Sequence, residues 1–310
     1  MFILTTYCSF IIEKIEGSLI SMFSYNWLET LNISEEMLQG KNKQRLPVIW
    51  ISAQECTGCV EAFITSEMPS AEDTIFKIIS LEASELLSAS AGEQFEHHKE
   101  SIYEKYKGEY VLVVEGSIPM DDQFLMVAGN SVKEEIIAAA KHAKAVLAFG
   151  SCSSWGGIAA AEPNPTGAVA VTELLSEETP LALVPGCPPI ADVMTGTLAH
   201  LHYHNELPEL DKKGRPKAFY STSVHNACPR KPYFLNKQFA ETYDDEGASL
   251  GYCLFKLGCK GPTTFNACET IGWNGGGCSP ITSGNACIGC SEKDFWDKGS
   301  LCSLKKKKRS

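Results

Sequence analysis

Cys56 and Cys59, separated by Thr57 and Gly58, are the first residues in the chain whose types and spacing could do chemistry. Two thiols so placed can turn toward one metal centre, with Gly58 expected to let the backbone fold back without a Cβ clash. Alone the pair is a weak signal: its ordinary readings are a thioredoxin-like redox couple or half of a zinc site, with iron the less common one. Its setting narrows the choice. Residues 47–54 lead into it, and Val48-Ile49-Trp50-Ile51 within that run is short, β-branched and aromatic, which predicts a buried strand. The thiols then lie just past a strand's carboxyl end, where open α/β sheets place ligands.

Similar apolar runs at 75–81, 110–114, 145–149 and 181–184 also predict strands. Between them, residues 84–106 show helical spacing, with Leu86, Leu87, Phe95, Ile102 and Tyr106 available for an inner face. Ser131 followed by Glu134 is a capping box, opening a helix supported by the alanine-rich stretch 136–145. Residues 60–65 predict a helix that begins at the cysteine loop, with its first N–H groups facing whatever the thiols bind. Strand and helix in repetition define an α/β fold, a parallel sheet of flavodoxin-like type. Three of its predicted strands end in cysteine: Cys56 with Cys59, then Cys152 in Gly150-Ser151-Cys152, then Cys187 in Pro185-Gly186-Cys187. Parallel strands bring their carboxyl ends to one edge, so four thiols converge there. Four thiolates fit a 4Fe-4S cluster or a structural zinc, and the cluster is favoured because structural zinc usually draws on two close pairs rather than three strand ends.

From about Leu207 the alternation stops, and eight of the 13 cysteines fall in this last third. The expected organisation is an extension over 1–45, a flavodoxin-like domain over 46–206, an irregular cysteine-rich iron-sulfur domain over 207–304, and a basic tail over 305–310. Residues 34–38 could start a short helix. An odd cysteine count in a chain of 310 residues speaks for metal rather than a disulfide scaffold. A net charge of −11 excludes a broad basic surface for nucleic acid. No run approaches the roughly 18 apolar residues of a membrane span. Neither a signal-peptide pattern nor a twin-arginine pair is seen, which gives a cytoplasmic expectation; a periplasmic or membrane-associated complex is the alternative.

Two further donor sets can be drawn in the second region. One is His225, Cys228, Cys253 and Cys259; the other is Cys268 with Cys287-Ile288-Gly289-Cys290. By spacing alone His225 reads as a hydrogen-bonded loop histidine. His200 and His204 could lie one helical turn apart, but no glutamate or cysteine accompanies them, and they read as surface residues. Cys8 and Cys302 have no assigned role.

With these residues assembled, the chain resembles the small, electron-transferring subunit of nickel-iron hydrogenases of the uptake type. Seven blocks carry the resemblance in order: residues 48–50 with 54–59, then 113–119, 150–157, 163–168, 184–189, 258–262 and 287–292. It implies a proximal 4Fe-4S cluster held by Cys56, Cys59, Cys152 and Cys187. It implies a medial 3Fe-4S cluster held by Cys268, Cys287 and Cys290, and a distal 4Fe-4S cluster held by His225, Cys228, Cys253 and Cys259. The implied partners are a hydrogenase large subunit, which bears the nickel-iron site, and an external electron acceptor such as a cytochrome or another redox protein. Hydrogen is split on the large subunit in that family, so this chain is expected to conduct electrons rather than cleave hydrogen.

Two positions refine the resemblance. Oxygen-tolerant relatives carry two extra cysteines near the proximal cluster, where this chain has Gly58 and Gly157, which implies the oxygen-sensitive type. Pro280 matches the open corner of the medial cluster, but Cys278 lies two residues before it and would complete a 4Fe-4S if the run Gly275-Gly276-Gly277 bends toward the site. Glu55 is either a structural carboxylate or part of a proton path. The rival readings are an iron-sulfur subunit of a quinone reductase related to respiratory complex I, and a zinc-stabilised scaffold.

Overall fold

The computed structural model describes residues 44–298. Five parallel strands form its sheet: β1 (Leu46–Ser52), β2 (Ile79–Ser84), β3 (Val111–Glu115), β4 (Ala145–Phe149) and β5 (Leu181–Val184). Their spatial order is β2-β1-β3-β4-β5, the flavodoxin-like order, with its topological switch between β1 and β3. The sheet is covered on both faces, which is why its strands are continuous apolar runs rather than alternating ones. On one face Trp50, Val113 and Leu147 meet Phe63 and the helix α5 (Ala191–His204). On the other, Ile51, Leu112 and Val146 meet α2 (Gly92–Lys105) and α3 (Val132–Ala140). Each fully buried side chain here, such as Ile136, stabilises the fold by about 1.5–3 kcal/mol.

Register decides where the chemistry sits. Ser52 pairs with Glu115, Glu115 with Phe149, and Phe149 with Val184, so the four strand ends form one row. The cysteine loops all leave from this row. Beyond it, Gln54 and Ser117 exchange backbone hydrogen bonds of 2.9 and 3.0 Å, which fixes the approach to Cys56.

Several local expectations change. The strand expected over 75–81 begins only at Ile79, because Thr74–Ile78 closes a turn of π-helix first. The helix expected over 84–106 starts at Gly92: Phe95 and Ile102 are buried as expected, whereas Leu86 and Leu87 lie outside it and are exposed, and Tyr106 caps its end. Ser131 Oγ accepts the Glu134 N–H as the capping box requires, but that helix ends at Ala140 rather than 145. The helix after the first cysteines, α1, spans Gly58–Phe63. Thr57, not Gly58, takes the left-handed backbone at this turn, with φ 67°.

After α5 no described strand joins the sheet. Helices shrink to three to five residues, and among the described residues the only core cluster confined to this region gathers around Ala240, Leu254 and Ala286. Phe219, Tyr220 and Ala267 instead join the core on the α5 face of the sheet, so this region shares that core rather than building a large one of its own. Arg215, 3% exposed, ties it back: its guanidinium pairs with Asp211 and with Glu292, each at 2.9 Å. The expected helix at 34–38, Cys8, Cys302 and the basic tail lie outside the described residues.

Candidate metal centres

At the end of β1 the Cys56 and Cys59 thiols meet Cys152, which lies on α4 (Gly150–Trp155), and Cys187, which follows β5. Burial pushes the Cys59 thiol well above its usual range, and the charges of Glu115, Cys152, Cys187 and Cys56 push it further. Cys152 and Cys187 rise to about 11, again through burial first and neighbouring thiols second. Thiols that raise one another in this way are poor thiolates until a cationic centre neutralises them, which is the condition an iron-sulfur or other metal centre supplies.

Glycine shapes the same place. At Gly150 (φ 90°) an added Cβ would stand 2.6 Å from Cys59 Sγ, and at Gly157 (φ 60°) 2.6 Å from Cys152 Cα and against its sulfur. The sulfurs therefore rest directly on backbone that only glycine leaves open.

The first N–H groups of α1 do not face the thiols' ligand. Glu115, 1% exposed at the end of β3, accepts them instead: Oε1 takes Cys59 N–H at 3.0 Å and Val60 N–H at 3.3 Å. Its Oε2 accepts the Trp50 indole N–H at 3.0 Å. Burial raises this carboxyl while the three donors pull it down. The sequence carried one sign of this role, an acid closing a strand with no other polar residue, since a buried carboxylate must find donors. Glu55 stands alongside with Oε2 buried and unpartnered, and its carboxyl is raised to about 7 by burial, then by Glu115, Glu85 and Glu61.

The second set gathers as drawn. Cys268, Cys287 and Cys290 line a cavity of about 520 Å³, together with Cys278, Pro280, Asn266 and Trp273. Asn266 Nδ2 is a buried donor without a protein partner, and the Trp273 side chain is directed at the Cys268 thiol, which it pulls down against the effect of burial. An orphaned donor and a donor to a ligand sulfur, both lining a cavity of three thiols, are what an iron-sulfur cluster would use, so the residues fit one. Cys278 lies across a short hairpin from Trp273, turned by the glycine run; its thiol donates to the Trp273 carbonyl at 3.9 Å and accepts from Asn274 Nδ2 at 3.5 Å.

The third set, His225, Cys228, Cys253 and Cys259, lines a single small cavity with Phe255, Pro262 and Ile281. Burial lowers the His225 imidazole, and Lys231 lowers it further, which favours the neutral ring that metals take. His225 also packs edge-on to Phe234 at 4.8 Å. His200 and His204 sit on α5 with ring centroids 4.4 Å apart, half-buried rather than at the surface, and neither lines the cavities of the second and third sets. Among the described residues, no three His, Cys, Asp or Glu side chains are gathered tightly enough for a single metal ion.

The sets adjoin. The Cys187 backbone N–H is hydrogen-bonded to the Cys290 thiol, and Cys259 is close enough to raise Cys287 after burial has done so.

A flavodoxin-like sheet with thiols beyond its strand ends is thus followed by an irregular cysteine-rich region, and each part has a counterpart among known redox proteins. Residues 220–303 match the family described as the C-terminal part of the NiFe/NiFeSe hydrogenase small subunit, and residues 56–201 match NADH ubiquinone oxidoreductase, 20 Kd subunit. The uptake hydrogenase small subunit of Azotobacter vinelandii is 50% identical over 84% of this chain and 73% of its own length. That of Cupriavidus necator is 49% identical over the same shares. A NiFeSe hydrogenase structure from Desulfomicrobium baculatum superposes with TM-score 0.75 at 36% identity, covering 81% of this chain and 96% of the other. The chain belongs to the nickel-iron hydrogenase small subunit family. It is the electron-transfer part of a heterodimeric hydrogenase whose catalytic site lies on the large subunit. No helix among the described residues is long and apolar enough to cross a membrane.

Proposed function

We propose that the chain carries electrons from hydrogen oxidation at the large subunit through three iron-sulfur clusters to an external redox protein. Cys56, Cys59, Cys152 and Cys187 would hold a 4Fe-4S cluster; Cys268, Cys287 and Cys290 a 3Fe-4S cluster; and His225, Cys228, Cys253 and Cys259 a second 4Fe-4S cluster. Such clusters take up and release single electrons at potentials tuned by ligand type, hydrogen bonds to sulfur and exposure.

One observation carries this reading: the middle C-x-x-C reaches both neighbours, Cys290 toward Cys187 and Cys287 toward Cys259. The medial centre is assigned three irons because Pro280 offers no donor and the Cys278 thiol is engaged in its own hairpin. Neutral imidazole at His225 removes one negative charge from the outermost centre. A zinc scaffold fits less well, since no donor trio closes on one ion among the described residues. The quinone-reductase reading accounts for residues 56–201 but leaves the cysteines beyond 220 without a purpose.

The test is the purified heterodimer. Eleven irons per small subunit and a 3Fe-4S EPR signal on oxidation are expected from the cluster types proposed. A colourless protein would remove the proposal, and twelve irons without that signal would assign Cys278 as a fourth medial ligand.

A further inference from the structure

Helix α4 holds more than one cysteine's worth of function. Ser151, beside Cys152 and only 1% exposed, donates its hydroxyl to the carbonyl of Cys290, 139 residues away in sequence. The same oxygen accepts the Gly186 N–H at 3.0 Å, and the Ser151 backbone N–H returns a bond to the Gly186 carbonyl at 2.8 Å. One turn further along, Trp155 Nε1 donates to the carbonyl of Ser291 at 3.1 Å. Residues 151 and 155 share a helical face, so one rigid element grips two consecutive carbonyls of the medial segment. It also supplies Cys152 to the proximal set and fixes the residue before Cys187.

We propose that Ser151 and Trp155 form a two-point clasp that sets the spacing between the proximal and medial centres, making Ser151 a positioning residue for electron transfer between them. The inference rests on the three-cluster reading above. Cys187 and Cys290 are the ligands through which those centres approach, and Ser151 is hydrogen-bonded to the Cys290 backbone and to the residue preceding Cys187. General packing does not require the contact. The segment after Cys290 has independent anchors, Glu292 to Arg215 and to the Phe265 N–H, each at 2.9 Å, and Ser291 Oγ to the Phe265 carbonyl at 3.0 Å. Loss of the clasp should therefore loosen the spacing without releasing the segment.

The experiment uses the heterodimer carrying Ser151→Ala, Ser151→Thr, Trp155→Phe or Ser151→Ala with Trp155→Phe. Iron content, the EPR splitting between the two reduced centres, and the rate at which the medial centre reduces after the proximal one are measured. Ser151→Ala should keep its iron, lose much of the splitting and slow the transfer roughly tenfold, at the low end of what outer-shell partners cost. Ser151→Thr, which keeps the hydroxyl, should restore both, Trp155→Phe should fall between, and the double variant should be the slowest. Full iron with unchanged splitting and rate in Ser151→Ala and the double variant overturns the proposal. If Ser151→Ala does not load iron, Trp155→Phe decides: unchanged splitting and rate there overturn it, and reduced values support it. A wild-type heterodimer without iron would instead overturn the three-cluster reading, and this inference with it.

Discussion

The carbonyl of Cys287 accepts the backbone N–H of Lys260 at 2.7 Å, which seats Cys287 beside Cys259 and joins the second donor set to the third. The other arm of the same C-x-x-C adjoins Cys187. This pair therefore lies between the other two donor sets. Cys287→Ser should therefore interrupt conduction while leaving the large subunit's chemistry in place. Hydrogen oxidation with a protein acceptor should fall at least about tenfold, and hydrogen–deuterium exchange should persist. Equal loss of both activities in a side-by-side assay would contradict this division of labour.

Glu115 fastens the proximal loop to the sheet through three N–H donors from Trp50, Cys59 and Val60. Glu115→Ala would leave all three without their acceptor, the Trp50 and Val60 donors in buried positions. Each orphaned buried donor costs about 1–3 kcal/mol, so the loss should be on the order of 3 kcal/mol or more. Glu115→Gln keeps one acceptor oxygen and should lose roughly half as much. Denaturant unfolding of the purified variants, with iron content followed in parallel, tests the order Ala below Gln below wild type.

The strand ends and the four thiols above them could be read from the sequence because buried parallel strands are continuous apolar runs and their loops share one edge. What it concealed were partners brought together only by tertiary contact. Trp50 and Glu115 lie 65 residues apart, and Ser151 and Cys290 lie 139 apart, with no periodicity linking either pair. The stretch 75–81 misled for a local reason: Ile75, Ile78 and Ile79 suit a strand and a helical turn equally, and packing against α5 settles the first two into the turn. Donor sets two and three emerged from cysteine spacing, but the imidazole did not. His225 became a candidate ligand through the resemblance, and in the fold it lines one cavity with three thiols.

The two glycines that the resemblance singles out, Gly58 and Gly157, differ in room. An added Cβ at Gly58 meets Cys56 Sγ at 3.2 Å, a contact a small shift of the thiol relieves. At Gly157, with φ 60°, it collides with the Cys152 backbone. Gly58→Cys should therefore assemble a normal proximal centre, whereas Gly157→Cys alone should load less iron and unfold at lower denaturant. Matching iron content and stability in the two variants would show that the loop adjusts more than its backbone suggests.

Glu55 combines a buried, unpartnered oxygen with a carboxyl raised to about 7, so it holds its proton in much of the range where an ordinary carboxyl has lost it. Because the folded value exceeds the unfolded one, its contribution to stability is complete below about pH 4.5 and declines as pH rises toward 7. Glu55→Gln lacks that decline, so its stability relative to wild type should grow across this interval and level off above it. A group titrating near neutrality next to Cys56 is also suited to pass protons. On that view Glu55→Gln slows hydrogen–deuterium exchange by about 10²-fold, the lower end for a positioned acid or base, while reduction of the clusters by dithionite proceeds at the wild-type rate. Unaltered exchange together with the expected pH-dependent stability would confine Glu55 to a structural role.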